Sequence, residues 1–393
     1  MINIFLVAGF NLFFLNISWL TTVNCVFNKE SSIKLLTYEK YGDLLFVSGT
    51  IFLEEVNAYN KDCEIPLETP IRFQVEISTD YPRHSDSMSY EKDFGVLILP
   101  ENYCKSGNPV PLVIGCHGGG GTVDSTNSQT ENYSLYKYLV SLGYAVMDMA
   151  GMPVSFSSRL KIDLFRCMGS FVAIRSYEAG YEWVINNFNI DTNGCYVTGG
   201  SNGGLTATNI VSLSSIPVIC QAGMSPLLSL KEQAWNIPTG AMSGGEFSSY
   251  QNRANIIRIY KMDDVETLNE LLNAKYEEGK VGNFNPFSYQ FDEIRMIKKY
   301  PCPVKFWHPV DDHIVSIDFS RKFITAIKNA GINAHLVEMP GGKHSPESFG
   351  QTMGFFEYQG EYIELKPAVN DLAAWFGKFS GIKPNYSSKS GNN

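Results

Sequence analysis

Residues 195–205, Cys-Tyr-Val-Thr-Gly-Gly-Ser-Asn-Gly-Gly-Leu, constrain the fold more than any other stretch of this chain. An apolar, β-favouring run (Cys195–Thr198) leads into Gly199-Gly200-Ser201-Asn202-Gly203, and a helix-compatible run follows to Ser215. A G-x-S-x-G turn between a strand and a helix is so tight that only glycine leaves room at its flanks. It pushes the Ser201 hydroxyl out at the carboxyl end of a sheet. The helix start behind it aims backbone N–H groups at the same point. The short motif alone is common by chance. It gains meaning only if a β–α succession surrounds it and reactive partners lie on other loops.

The succession is present. Before the elbow, Phe94–Pro100 and Pro111–Cys116 read as strands, Ser134–Leu142 as a helix, Gly143–Ala150 as a strand and Phe165–Asn187 as a long helix. After it, Pro217–Ala222, Val304–His308 and Ala334–Met339 read as strands, Ser316–Asn329 as a crossover helix and Ala368–Phe379 as an amphipathic final helix. Continuous apolar runs such as Leu112–Cys116 suit strands covered on both faces. The expected class is α/β: a doubly wound, mostly parallel sheet over residues 94–380. Between 224 and 297 the alternation stops. That length exceeds an ordinary connection, and the helix-like Asp264–Glu278 and aromatic Asn283–Phe291 suggest a helical lid. Residues 30–93 read as a short β-rich extension, clearest in the period-two run Ile71, Phe73, Val75, Ile77. Its strands form either an accessory sheet or the first antiparallel strands of the main one.

The ends carry different signals. Ile2–Leu20 is nearly all apolar, so residues 1–24 read as a signal peptide or, second, an uncleaved membrane anchor. The corresponding expectation is a secreted or other extracytoplasmic protein, alternatively one anchored to a membrane. Residues 385–393 form a Ser/Gly/Asn-rich tail. A net charge of −9 with no Lys/Arg cluster excludes a phosphate-tracking surface, so no nucleic-acid partner is expected. The eight cysteines show no C-x-x-C and no metal spacing. Cys116, Cys195 and Cys220 lie in strands and read as buried apolar residues, and Cys63 and Cys104 could pair in an exported chain.

A serine hydroxyl needs a base, and the base an orienter. In this fold pattern they follow in the order Ser, acid, His, each on a loop after a strand. Strand Val304–His308 is followed by Pro309-Val-Asp-Asp-His313, and strand Ala334–Met339 by Pro340-Gly-Gly-Lys-His344. His344 is the candidate base. Asp312 or its neighbour Asp311 is the candidate orienter. His117-Gly118-Gly119-Gly120-Gly121, directly after strand Pro111–Cys116, supplies N–H groups unobstructed by Cβ atoms. Asn202 N–H with an N–H of Gly118 or Gly119 would then hold an oxyanion. His117 and the aromatic Phe284, Phe287 and Tyr289 are candidate pocket residues. A phosphate-cradling role for the glycine loop fails on spacing. No metal and no organic cofactor is expected.

Gly199-Gly-Ser-Asn-Gly-Gly-Leu205, preceded by Tyr181-Glu-Trp-Val184 and Asp191, resembles the catalytic domain of the prolyl oligopeptidase group of α/β-hydrolases. His308-Pro-Val-Asp-Asp312-x-x-Val315 is similar to that group's H-G-x-x-D-x-x-V acid loop, with Pro309 in place of glycine, and its register selects Asp312. Gly342-Lys-His344 resembles the G-x-H base loop. The resemblance spans about Phe94 to Phe379. It implies Ser201 as nucleophile, Asp312 as orienter, His344 as base and Asn202 N–H in the oxyanion hole. Members of the group carry a β-propeller, for which the stretch before Phe94 is too short, and its peptidases use a tyrosine oxyanion donor where this chain has an esterase-like glycine loop. The expectation is therefore a serine hydrolase of carboxylic esters, acting on a small-molecule or oligosaccharide ester such as an acylated carbohydrate. A peptidase of short peptides is the alternative, and a non-catalytic binding protein of the same fold the second.

Overall fold

The computed structural model describes residues 65–78, 90–119, 121–160, 169–229, 300–341 and 343–388, and six short strands before residue 48. The chain divides into two units, 1–57 and 58–393. In the first, the backbone pairs as three antiparallel hairpins: β1 (Ile2–Ala8) with β2 (Asn11–Ile17), β3 (Asn24–Phe27) with β4 (Ile33–Leu36), and β5 (Tyr38–Tyr41) with β6 (Leu44–Val47). Of the expected lid, Met224 ends a strand of the main sheet and residues 230–297, Phe284, Phe287 and Tyr289 among them, lie outside the described residues, as do Cys63, Gly120 and Gly342. Among the described residues no helix is long and apolar enough to cross a membrane.

The second unit is built on one sheet of eight strands. They are β7 (Pro70–Ser78), β8 (Tyr90–Ile98), β9 (Leu112–Cys116), β10 (Ala145–Met149), β11 (Cys195–Gly200), β12 (Val218–Met224), β13 (Val304–Pro309) and β14 (Ala334–Met339). Their spatial order is β14-β13-β12-β11-β9-β10-β8-β7. Strands β9 to β14 run parallel, whereas β8 and β7 join antiparallel at one edge. The period-two run is thus the edge of the main sheet, not an accessory one. A boundary at residue 94 does not hold either, because β8 crosses it.

Helices cover both faces of the sheet. On one side lie α2 (Ser134–Ser141), α7 (Pro367–Ser380) and a hairpin of β15 (Gly354–Tyr358) and β16 (Glu361–Leu365), sharing a core with Val113, Val146, Tyr196 and Trp307. Helices α4 (Phe171–Asn187) and α5 (Asn202–Leu213) pack on the sheet and on each other, and α6 (Ile317–Asn329) packs on β13 and β14. Short helices α1 (Gln129–Asn132) and α3 (Val154–Leu160) fill connections. Alternation along β13 shows the layering. Phe306 stacks on Phe323 of α6, while its neighbour Trp307 enters the core beneath α7. Asp371 ties α7 to that strand by accepting from Trp307 Nε1 (2.8 Å) and Lys305 Nζ (2.7 Å).

Helix α4 begins at Phe171, not at 165. Gly169 takes φ +58°, and the Ser170 hydroxyl caps the helix by accepting from Ala173 N–H (3.3 Å). The strand order reverses between β9 and β11: the chain leaves β9 for β10 on one side and returns to β11 on the other. A crevice opens at the carboxyl ends of the strands at such a switch point. The loops after β9 and β11 are the glycine loop and the elbow.

Candidate active site

Ser201 sits between β11 and α5 with φ +53° and ψ −123°. A non-glycine residue there costs about 1–3 kcal/mol and must be held by its surroundings. Its N–H donates to the Met224 carbonyl (3.0 Å), and its own carbonyl accepts from Gly204 N–H (3.0 Å) and Leu227 N–H (2.9 Å). The flanking glycines make the turn possible. A Cβ on Gly199 would strike the Gly203 carbonyl group, and one on Gly203 would strike the Cys116 and His117 carbonyl oxygens. Helix α5 therefore rides directly against β9. Asn202, its first residue, is buried, with its N–H among the first-turn donors that have no helical acceptor.

Asp312 and His344 come from the loops after β13 and β14, as their positions at the strand ends require. His344 Nδ1 lies 2.8 Å from Asp312 Oδ2 and 3.1 Å from Oδ1. Asp312 Oδ1 also accepts from Ile314 N–H (2.9 Å) and Val315 N–H (3.0 Å). His308 Nε2 lies 3.3 Å from Asp312 Oδ2, while its Nδ1 lies 2.8 Å from Ser320 Oγ. Burial would raise the Asp312 pKa, but the bonds from His308, His344 and the Val315 N–H together hold it well below the usual carboxylate range. Asp311, by contrast, is exposed. With Nδ1 engaged, Nε2 is the imidazole nitrogen left for a serine. Among the described residues it is not yet hydrogen-bonded to Ser201, and contacts of this kind commonly tighten only with substrate in place.

Ser201, His344, His117, Gly118 and Gly119 line one cavity of about 320 Å³, with Leu135, Met224 and Ile314 among its apolar walls. The two candidate donors on the glycine loop differ. Gly118 N–H is already committed to Gln129 Oε1 (3.0 Å). A side chain from α1 thus pins the loop, and an oxyanion there would have to look to Gly119. His117 does not project freely into the cavity. It is buried, with Nδ1 3.2 Å from Asp148 Oδ2. Asp148, fully buried on β10, also accepts from Thr130 Oγ1 (2.5 Å), Tyr177 Oη (2.6 Å) and Met149 N–H (2.8 Å). Burial works against a charged His117, but Asp148 and more distant Asp93 outweigh it and raise the imidazole pKa.

Three residues at this site, Tyr133 and Glu347 on the cavity wall and Asp148 buried behind His117, are not foreseen from the sequence. Asp148 had a visible signal, a carboxylate inside the apolar run Ala-Val-Met-Asp-Met. Tyr133 had none. Its hydroxyl accepts from Gln129 Nε2 (2.9 Å), leaving its own O–H to donate at the cavity wall. Glu347, three residues past His344, was hidden because the 3₁₀ turn Pro346–Ser348 that places it has no hydrophobic period. Among the described residues no group of three or more His, Cys, Asp and Glu side chains is placed to hold a metal.

No protein-family model matches the sequence, and no curated protein does. Solved structures match over most of the chain. A puromycin hydrolase is 14% identical, with a TM-score of 0.53 over 82% of this chain and 41% of its own. The acylaminoacyl peptidase of Pyrococcus horikoshii is 16% identical, with a TM-score of 0.50 over 82% and 43%. A puromycin-hydrolyzing peptidase of Mycobacterium tuberculosis is 16% identical, with a TM-score of 0.50 over 80% and 40%. The chain thus spans less than half the length of each, and at such identities the likeness is one of fold. That fold is the α/β-hydrolase fold. Set into it, a strained serine, a histidine paired with a buried aspartate and a glycine loop meet at one cavity.

Proposed function

We propose that this chain hydrolyses carboxylic esters through an acyl-enzyme on Ser201. His344 Nε2 takes the Ser201 proton as Oγ attacks the ester carbonyl. The Asn202 and Gly119 N–H groups hold the oxygen that becomes negative, a role typically contributing about 10²–10³ in rate per donor. His344 then protonates the departing alcohol. A water molecule, deprotonated by His344, attacks the acyl-enzyme and releases the acid, restoring Ser201. Asp312 keeps Nδ1 as the donating nitrogen and stabilises the imidazolium without taking its proton.

The observation that carries this reading is the Asp312–His344 pair, which opens onto the same cavity as a strained Ser201 and a glycine loop. The loop favours esters, because Gly119 offers a backbone donor on a loop that Gln129 pins through Gly118, with no side-chain donor to be recruited. Tyr133 Oη at the wall favours the alternative, cleavage of short peptides, since a tyrosine hydroxyl is the donor that peptidases of the resembled group use. Turnover of p-nitrophenyl acetate and short-chain homologues, compared with peptide anilides, separates the two. The proposal expects ester kcat/KM to exceed anilide kcat/KM, and faster anilide cleavage overturns it. The proposal includes export directed by residues 1–24; expression with and without them, followed by fractionation, tests that part.

A further inference from the structure

We propose that Glu347 makes the site selective for esters whose leaving alcohol carries a positive charge, in chemical class an alkylammonium alcohol; this rests on the ester-hydrolase reading above. Among the described residues, Glu347 is the one acidic side chain lining the cavity of Ser201 and His344, and no Lys or Arg lines it. Among the described residues no ion pair joins Glu347 to a cation: Lys343, the nearest in sequence, is exposed and outside the cavity lining, Arg321 is held by Asp318 and Glu338, and Lys366 by Glu364. Removing a carboxylate from water without a cation is unfavourable. Burial raises its pKa accordingly, with His344 opposing, and its charge is felt by Tyr133 and Tyr136.

The cavity therefore joins a partly buried carboxylate, without an ion-pair partner among the described residues, to two tyrosine rings 6.4 Å apart between centroids. An alkylammonium group meets both needs at once. Its charge compensates Glu347, and its methyl or methylene groups pack on the π faces, which attract cations. The side follows from the chemistry. His344 protonates the leaving oxygen, and Glu347 follows it by three residues in a turn close enough for the two to interact. A carboxylate serving only to tune the imidazole would instead act on every ester alike.

The test uses the full-length protein with acetylthiocholine and its uncharged isostere, 3,3-dimethylbutyl thioacetate. The wild type is expected to favour the cationic thioester by about tenfold or more in kcat/KM, the range of a desolvated cation–π and charge contact. The preference should collapse toward unity in Glu347→Gln and survive in part in Glu347→Asp. An equal preference in the wild type, or one unchanged in Glu347→Gln, overturns the proposal, as does a Glu347→Gln loss shared equally by both substrates. If Glu347→Gln fails to fold, tetramethylammonium should still inhibit wild-type turnover of the neutral thioester competitively, where neopentyl alcohol does not; equal inhibition by both overturns it. Should neither thioester be turned over although a fluorophosphonate still labels Ser201, the ester reading fails. The rates of labelling by a choline-like and a neutral phosphonate then decide the role of Glu347.

Discussion

Asp312 concentrates four interactions in one buried carboxylate: two imidazoles and the N–H groups of Ile314 and Val315. The backbone bonds fix the carboxyl plane, and His308, anchored on Ser320 of α6 and on the Val315 carbonyl (3.0 Å), lies 3.3 Å from Oδ2, the oxygen that His344 also engages. His344 is thereby offered one orientation and one tautomer. Asp312→Asn should leave the fold intact but present an amide N–H where an acceptor is needed. We expect kcat on p-nitrophenyl acetate to fall about 10³–10⁴-fold with little change in KM, as removal of an orienter does in related chemistry. Steady-state kinetics on the purified variant check this. The sequence showed the pair Asp311-Asp312 but could not by spacing alone say which turns inward. Inward pointing is decided by the turn that brings Asp312 N–H to the Pro309 carbonyl (3.3 Å), a tertiary outcome that no periodicity encodes.

The elbow and its strands were legible because each element repeats one rule along its length. Leu112–Cys116 and Cys195–Val197 carry no charged or amide side chain, β-branched Thr198 extends the second run, and the structure buries them on both faces. The hairpin β15–β16 was not legible, for an equally local reason. Its two-residue loop, Gln359-Gly360, has φ +51° and +78°, the twist that matches paired strands. Gln at the first position gives none of the Asn-Gly or Asp-Gly signal by which such loops are found. Gly203 shows how firmly one element can be tied to another. Any side chain there meets the carbonyls at the end of β9, so α5 would have to retreat and carry Ser201 with it. Gly203→Ala should lower the urea unfolding free energy by about 1–3 kcal/mol or more. It should also cut ester turnover well beyond what the stability loss explains. Parallel denaturation and activity measurements separate the two effects.

For the whole molecule, the reversal of strand order between β11 and β9 brings the elbow and the glycine loop side by side. Beyond β12, the last two strands on that side, β13 and β14, deliver Asp312 and His344 to the same edge. Beneath the glycine loop lies a second polar layer, the His117–Asp148 pair and Asp93. Asp93 is buried, and burial, only partly opposed by hydrogen bonds from Ser176 and the Gly151 N–H, pushes its pKa up to about 6. The folded state therefore holds this proton more tightly than the unfolded chain. Asp93 opposes folding fully above pH 6, and that cost fades as the pH falls toward the ordinary carboxylate range. Between pH 7 and pH 5 the wild type should gain on the order of 1 kcal/mol of stability relative to Asp93→Asn. Asp312 has the opposite sign: its contribution is full above the ordinary carboxylate pKa and is lost only in stronger acid. Denaturant titrations at several pH values read both. The sequence foretold the mostly parallel sheet, but not this buried layer, whose members and hydrogen-bond partners come from β8, the loop after β9, β10, α1 and α4.

In the proposed chemistry Ser201 is the activated hydroxyl of this site. Treating the full-length protein with a fluorophosphonate and locating the adduct by peptide mass spectrometry tests that directly. The expected result is stoichiometric modification of Ser201, abolished in Ser201→Ala and slowed by orders of magnitude in a His344→Ala variant. Labelling that persists unchanged in Ser201→Ala would contradict it.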